Sequence, residues 1–180
     1  MITYTGISGD FSTEDAGFNL SASGDQVLAY QGSTGSPTFI FAVQNNSTQW
    51  QTGSDDSNQS DLPSGLTNDV TAVATGASSG AESEYDNAYY SGASTGKTHT
   101  QISVLVGNSS NWTGDNDTSY SSTPPTSFTF SSATWDGSSS TDWSTSDNWS
   151  TSESPGKYDD VVIADVSKES SINEIYSKII

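Results

Sequence analysis

Short runs of apolar and β-branched residues alternate along the chain with clusters of Ser, Gly, Asn and Asp. Such runs are typical of strands, and the small polar clusters between them are typical of turns. Apolar residues at helical spacing are confined to Ile172–Ile180. We therefore predict many short strands joined by polar turns. The predicted strands are Ile2–Ile7, Gln26–Gln31, Thr38–Gln44, Val70–Ala74, Gln101–Val106, Ser127–Phe130 and Val161–Val166.

This series of strands predicts an all-β fold. Residues 1–125 are expected to form an antiparallel β-sandwich of the jelly-roll or immunoglobulin-like type. The pair Pro124-Pro125 prevents regular sheet pairing. The composition changes after this pair, to Trp residues separated by Ser and Thr. We place a domain boundary near residues 125–132, so that residues 126–180 begin a second β region.

Two segments of the chain share a local pattern. Phe39–Val43 is followed by a polar turn that ends in Trp50, and Ile102–Val106 is followed by a similar turn that ends in Trp112. An acidic loop comes next in both cases. We interpret each segment as an apolar strand with a Trp packed at the end of its turn.

Composition favours a folded chain with a thin core. Only 31% of the 180 residues are hydrophobic, but 11% are aromatic. A disordered acidic chain would be poor in aromatic residues. Large rings are therefore expected to supply much of the buried area.

Charge excludes several classes of partner. The chain has 22 acidic residues, four lysines, no arginine and a net charge of −18. This charge repels nucleic acids and anionic lipid surfaces. The absence of cysteine excludes disulfides and thiolate metal sites. No apolar run approaches the ~18 residues of a membrane-spanning helix, so we predict no membrane insertion.

Acidic and amide residues cluster in several loops, and these loops are candidate calcium sites. Ca²⁺ takes roughly six to eight oxygen ligands from carboxylates, amides and carbonyls. Solvated turns are the alternative for every one of these loops, since the chain has no complete EF-hand pattern. The candidate calcium ligands are Asp55, Asp56, Asp61, Glu84, Asp86, Asp115 and Asp117.

Aromatic residues raise a second candidate chemistry, since an exposed ring can stack on a sugar. Tyr85, Tyr89 and Tyr90 lie beside acidic and amide residues and are candidate sugar-binding residues. Trp143 is a further candidate, although Trp135, Trp143 and Trp149 lie close together and are expected first of all to fill a small core.

Catalytic constellations are missing from the sequence. The acidic group Glu82, Glu84 and Asp86 has no partner placed to form a carboxylate pair across a cleft. His99 is the single histidine and has no recognisable nucleophile. We therefore expect a protein that is not an enzyme.

The Trp-rich segment contains a spaced motif. Its parts are Trp135-Asp136-Gly137, Asp142-Trp143, Asn148-Trp149, Pro155 and Asp159-Asp160-Val161-Val162-Ile163. This pattern resembles a segment of large cell-surface proteins of Bacteroidetes, which opens a repetitive, β-helix-like adhesin region. The resemblance implies a secreted, multidomain surface protein, and it implies a parallel β-solenoid whose first rung is Ile172–Ile180.

Together, these features predict a non-enzymatic structural or adhesive module at a bacterial cell surface, stabilised where its loops bind Ca²⁺. The expected partners are an extracellular glycan or other copies of the surface protein. Two alternatives remain open. One is a carbohydrate-binding module of a secreted polysaccharide-degrading enzyme, and the other is a filament subunit that assembles by strand exchange.

Overall fold

The computed structural model describes residues 21, 23–53, 58–79, 83–120, 122–123 and 127–163. Strands are the main regular structure in these ranges, and one α-helix lies among them. The predicted strand Ile2–Ile7 and the segment Ile172–Ile180 lie outside the described residues. The elements are β1 (Gln26–Ser33), β2 (Ser36–Gln44), β3 (Ala72–Ala74), β4 (Asn87–Tyr90), α1 (His99–Gly107), β5 (Trp112–Asp115), β6 (Ala133–Trp135) and β7 (Val161–Ile163).

The chain divides into two compact units. The first unit comprises Met1–Gly92 and Leu105–Thr126, and the second comprises Ala93–Val104 and Ser127–Ile180. The last change of unit, at Thr126–Ser127, falls beside the boundary predicted from the proline pair. The second unit also includes Ala93–Val104, a segment within the predicted first domain of residues 1–125.

The first unit contains a sheet with the strand order β1-β2-β3. β1 and β2 form an antiparallel hairpin whose two-residue connection is Thr34-Gly35, and β3 pairs with β2 in parallel. Alternating β-branched and aromatic residues favour the two hairpin strands, and both were predicted close to their observed bounds. The predicted strand Val70–Ala74 shortens to three residues, because Val70 and Thr71 donate hydrogen bonds to the Thr67 carbonyl in a tight turn.

Polar side chains form part of the interior beside this sheet. Gln44 is fully buried, and its Nε2 donates to the Gln49 carbonyl at 2.6 Å. Asn46 is 1% exposed and donates through Nδ2 to the Asn58 carbonyl at 3.0 Å. Side chains that hydrogen-bond to nearby backbone groups can be buried at acceptable cost. A chain with few apolar residues therefore packs its loops against the sheet through amide groups.

The apolar run Gln101–Val106 belongs to helix α1, so the strand prediction there was wrong. Thr98 Oγ1 accepts a hydrogen bond from the Gln101 backbone N–H at 3.3 Å, and Gln101 Oε1 accepts one from the Thr98 N–H at 3.2 Å. This reciprocal arrangement is a capping box, which satisfies N–H groups that a helix start leaves unpaired. The supposed similarity between Phe39–Val43 and Ile102–Val106 is therefore confined to sequence.

The second unit contains the parallel pair β6-β7. On its other edge, β6 makes an antiparallel bridge between Trp135 and Trp149. The predicted strand Ser127–Phe130 forms only a single bridge, between Phe130 and Lys97, within the described residues. β7 covers Val161–Ile163 of the predicted Val161–Val166, and the rest of that run is not described.

The described strands thus form three small sheets. This agrees with a β-rich chain and leaves the sandwich and the solenoid as predictions. Among the described residues, no helix has the length and apolar character required to cross a membrane.

Candidate functional site: a tyrosine surface at the β4-β5 sheet

Two adjacent tyrosines of the antiparallel pair β4-β5 differ in their burial. Tyr89 pairs with Thr113 and is half-buried, whereas Tyr90 pairs with Trp112 and is 7% exposed. Successive side chains of a strand point to opposite faces of the sheet. Tyr89 and Tyr90 are therefore on different faces, and of the two Tyr89 is the more accessible.

Tyr120 joins Tyr89 across the turn that follows β5. The two rings meet edge to face, with centroids 4.7 Å apart and planes at 62°. Edge-to-face pairs at this distance are favourable because the positive ring edge lies over the negative ring face. Both rings are half-buried. Tyr120 was not among the predicted sugar-binding residues, since no local sequence pattern links it to β4.

A turn held by Asp115 brings Tyr120 back towards β4. Asp115 Oδ1 accepts hydrogen bonds from the backbone N–H groups of Asp117 at 2.7 Å and Thr118 at 2.5 Å. These bonds, that of Thr118 first, lower the pKa of the Asp115 carboxyl below its ordinary value. The carboxylate is therefore ionised at neutral pH and has a structural task in the turn.

Tyr85 lies against the backbone of β5. A Cβ atom placed on Gly114 would lie 2.1 Å from a ring carbon of Tyr85, so only glycine permits this close approach. The pKa of the Tyr120 phenol is raised, first by desolvation and then by the Asp115 carboxylate, Tyr89 and Tyr85. Tyr85, Tyr89 and Tyr120 form what we call the tyrosine surface, with Asp115 as its neighbouring charge.

Two of the predicted sugar-binding residues are buried instead. The Tyr90 ring meets Trp112 edge to face at 5.9 Å, and burial raises the pKa of its phenol. Trp143 is 5% exposed, with its ring centroid 4.5 Å from that of Trp149 and 6.2 Å from that of Trp135. Each ring packs against an aromatic neighbour and is more than nine-tenths buried, so little of its surface is open to a ligand.

The candidate calcium ligands are spread over several loops. Asp61 is exposed and accepts a hydrogen bond from the Gly53 N–H at 2.6 Å. Glu84 is half-buried, and no hydrogen bond to its Oε2 comes from the described residues. Asp86 is exposed, and its N–H donates to Asn116 Oδ1 at 3.0 Å.

Only some of the remaining calcium candidates lie within the described residues. Asp117 follows β5 in the turn that Asp115 holds, whereas Asp55, Asp56 and the acidic residue Glu82 lie outside the described ranges. In the part of the chain that the structure describes, no three acidic or histidine side chains are grouped to hold a metal ion. Calcium binding stays a prediction.

The Trp-rich motif of the second unit builds a core, as expected. Trp135, Trp143 and Trp149 pack with Ala133 in one buried cluster, and Trp149 Nε1 donates to the Trp143 carbonyl at 2.9 Å. Each buried indole removes about 150–250 Å² from water, which suits a unit with few apolar residues.

Asn148, which precedes the last of these tryptophans, organises the loop around the cluster. It is fully buried, and its Oδ1 accepts from the N–H groups of Ser139 at 2.9 Å and Ser140 at 2.8 Å. Its Nδ2 donates to Ser140 Oγ at 3.0 Å and to the Asp142 carbonyl at 2.9 Å. The amide thus uses its full hydrogen-bonding capacity, so its role is structural.

No protein-family model matches the chain, and the curated proteins and the solved structures contain no match to it. The likeness to surface proteins of Bacteroidetes therefore stays a prediction, as do secretion and adhesion.

Proposed function

We propose that this chain is a non-enzymatic adhesion module of a secreted bacterial surface protein, and that its tyrosine surface contacts an extracellular glycan. The observation that carries the proposal is the edge-to-face pair Tyr89–Tyr120, half-buried and held beside Asp115. Aromatic faces stack on sugar rings, while nearby carboxylate and amide oxygens accept hydrogen bonds from sugar hydroxyls.

The negative charge of the chain limits which glycans can be expected to bind. The chain carries a net charge of −18, and Asp115 is ionised next to Tyr120. Polysaccharides with carboxylate or sulfate groups would be repelled. The expected ligand is therefore an uncharged polysaccharide.

Affinity gel electrophoresis tests this proposal. The wild-type chain is run through gels that contain laminarin, xylan or galactomannan, with alginate as an anionic comparison. Retardation by an uncharged polysaccharide that is lost in Tyr89→Ala/Tyr120→Ala supports the proposal. Tyr158→Ala is the matched control, because Tyr158 is 73% exposed and lies in the other unit. An equal loss in the control, or no retardation of the wild type, contradicts it.

Strand addition is a second candidate function, supported by β7. Val161, Val162 and Ile163 are 38%, 46% and 46% exposed, and among the described residues β7 pairs only with β6. An exposed apolar edge strand is a template for another strand. The added strand would come from the following residues, as in a β-solenoid, or from another copy, as in a filament. Val162→Lys would lower assembly measured by sedimentation if another copy supplies it, and unchanged sedimentation argues against a filament.

Calcium would stiffen such a module by binding the acidic loops of the folded state. A ligand that binds only the folded state raises the free energy of unfolding by mass action. Thermal unfolding in EDTA and then in excess Ca²⁺ tests this prediction. A higher Tm in Ca²⁺ that is lost in Asp115→Asn/Asp117→Asn supports it, and an identical Tm contradicts it.

A further inference from the structure

The basic side chains of this protein are divided unevenly between its two units. All four lysines and the single histidine belong to the second unit, at Lys97, His99, Lys157, Lys168 and Lys178. The first unit has no basic side chain in its sequence, although it contains 13 of the 22 acidic residues. A carboxylate of the first unit therefore has no cationic side chain of the same unit with which to form an ion pair.

Several carboxylates of the first unit are held by backbone N–H groups instead. Asp25 Oδ2 accepts a hydrogen bond from the Ser21 N–H, and Asp61 Oδ1 accepts one from the Gly53 N–H at 2.6 Å. Asp115 Oδ1 holds its turn in the same way. Because a backbone N–H carries no net charge, these bonds position the carboxylates but leave the net negative charge of the unit unchanged.

The β4-β5 sheet brings three of these acidic residues to one end. Asn87 pairs with Asp115, and the N–H of the preceding Asp86 donates to Asn116 Oδ1 at 3.0 Å. Asp86 therefore comes from one strand to the end of the sheet at which Asp115 and Asp117 leave the other. Like charges across paired strands are destabilising. The fold of the first unit thus gathers like charges that its own side chains cannot neutralise.

Salt concentration decides how far this repulsion reaches. The Debye length is about 30 Å at 0.01 M salt, about 8 Å at 0.15 M and about 3 Å at 1 M. A unit of about 100 residues has a radius of gyration of about 13 Å. In dilute buffer each carboxylate therefore repels the others across the whole unit, whereas at high salt only near neighbours repel one another. Such self-repulsion destabilises the compact state.

We propose that the first unit is a salt-dependent fold, in which dissolved cations supply the positive charge that its sequence lacks. The second unit, which has all the lysines, depends on salt less steeply. The first unit then reaches its full stability in a saline medium and loses stability in a dilute one. This proposal depends neither on glycan binding nor on a calcium site, because screening by monovalent cations requires no defined set of ligands.

Fluorine NMR of the full chain labelled with 5-fluorotryptophan tests the proposal. Trp50 and Trp112 report on the first unit, and Trp135, Trp143 and Trp149 report on the second. Thermal unfolding is followed at about 10 mM and about 500 mM NaCl. EDTA is present throughout, so that calcium does not contribute. Sucrose at equal osmolality is the control for exclusion of a solute from the protein surface, because it screens no charge.

Two charge-reversal variants locate the effect. Asp117→Lys gives the first unit a basic side chain at an exposed position, and Asp160→Lys makes the same change at an exposed position of the second unit. We expect Asp117→Lys to raise the Tm of the first unit in dilute buffer but to have little effect at high salt, because the repulsion is already screened there. Asp160→Lys should leave the Tm of the first unit unchanged at both salt concentrations.

For the wild type we expect the Tm of the first unit to rise by at least about 5 °C between the two salt concentrations, and by more than the Tm of the second unit. Equal rises in both units overturn the proposal, as does an equal rise in sucrose. If the two units unfold in a single transition, the variants decide. Asp117→Lys must then reduce the salt dependence of that transition more than Asp160→Lys does, and equal reductions overturn the proposal.

Discussion

Asp159 holds the first turn of helix α1 from 59 residues further along the chain. Its Oδ1 accepts a hydrogen bond from the Thr100 backbone N–H at 2.7 Å, and its Oδ2 accepts one from the Gly156 N–H at 2.8 Å. A carboxylate at this end of a helix also interacts favourably with the helix dipole. The Asp-Asp-Val-Val-Ile segment therefore connects strand β7 to the first turn of helix α1.

Replacing this carboxylate should destabilise the second unit. We expect Asp159→Ala to lower the free energy of unfolding by about 1–2 kcal/mol, because it removes a helix cap and leaves two N–H groups without their partner. Asp160→Ala is the matched control, since the neighbouring Asp160 side chain is exposed. Urea unfolding measures both variants. An equal effect in the two would contradict the capping role.

The same carboxylate makes stability depend on pH. Burial opposes ionisation of Asp159, but the hydrogen bonds from Thr100 and Gly156 outweigh it and hold its pKa below the ordinary value. Because the folded pKa is depressed, the contribution is complete above the ordinary carboxyl value of about 3.9 and is lost as pH falls through the lower folded pKa. The difference in unfolding free energy between wild type and Asp159→Asn should therefore shrink below about pH 4. Urea unfolding as a function of pH measures it, and a constant difference would exclude this linkage.

Asn148 should be among the residues least tolerant of substitution. Asn148→Ala leaves the backbone N–H groups of Ser139 and Ser140 without an acceptor in a buried loop, so we expect a loss of about 2–4 kcal/mol. Asn68→Ala, at an exposed asparagine, should change stability by less than about 0.5 kcal/mol. Thermal unfolding followed by tryptophan fluorescence reports on the adjacent Trp cluster. A small effect at Asn148 would mean that other groups satisfy this loop.

Gly114 controls the arrangement of the tyrosine surface. In Gly114→Ala the new methyl group would displace the Tyr85 ring, and we expect a cost of about 1–3 kcal/mol. Gly35→Ala is a suitable comparison, since a Cβ atom there meets nothing within 4 Å. Near-ultraviolet circular dichroism should change for Gly114→Ala and stay constant for Gly35→Ala. Identical spectra and stabilities would show that Tyr85 does not need this close contact.

The sequence was sufficient to predict those elements whose structure depends on residues close together in the chain. Gln26–Gln31 and Thr38–Gln44 alternate in strand fashion around a short Gly-containing turn, and both lie inside observed strands. The run Ile102–Val106 has equally strong strand propensity but is helical. The capping box Thr98–Gln101 was a readable signal for this helix, whereas the contact from Asp159 was not, because it comes from a distant part of the chain.

The candidate site, too, could be predicted from the sequence only where it depends on neighbouring residues. Tyr85 and Tyr89 could be proposed from their acidic neighbours, but burial of Tyr90 depends on strand register and on Trp112 across the sheet. Tyr120 reaches Tyr89 only because the Asp115 turn reverses the chain. Propensity along the chain carries no information on such pairings, which are decided by tertiary packing.

The most direct test of glycan binding follows the tyrosine rings themselves. Protein with ¹³C-labelled tyrosine rings is titrated with oligosaccharides cut from laminarin, xylan or galactomannan while ring signals are recorded by NMR. We predict that the signals of Tyr89 and Tyr120 move together and saturate, while those of the exposed Tyr158 stay fixed. Signals of Tyr89 and Tyr120 that remain in place throughout, or that move no more than those of Tyr158, would contradict a glycan contact at this surface.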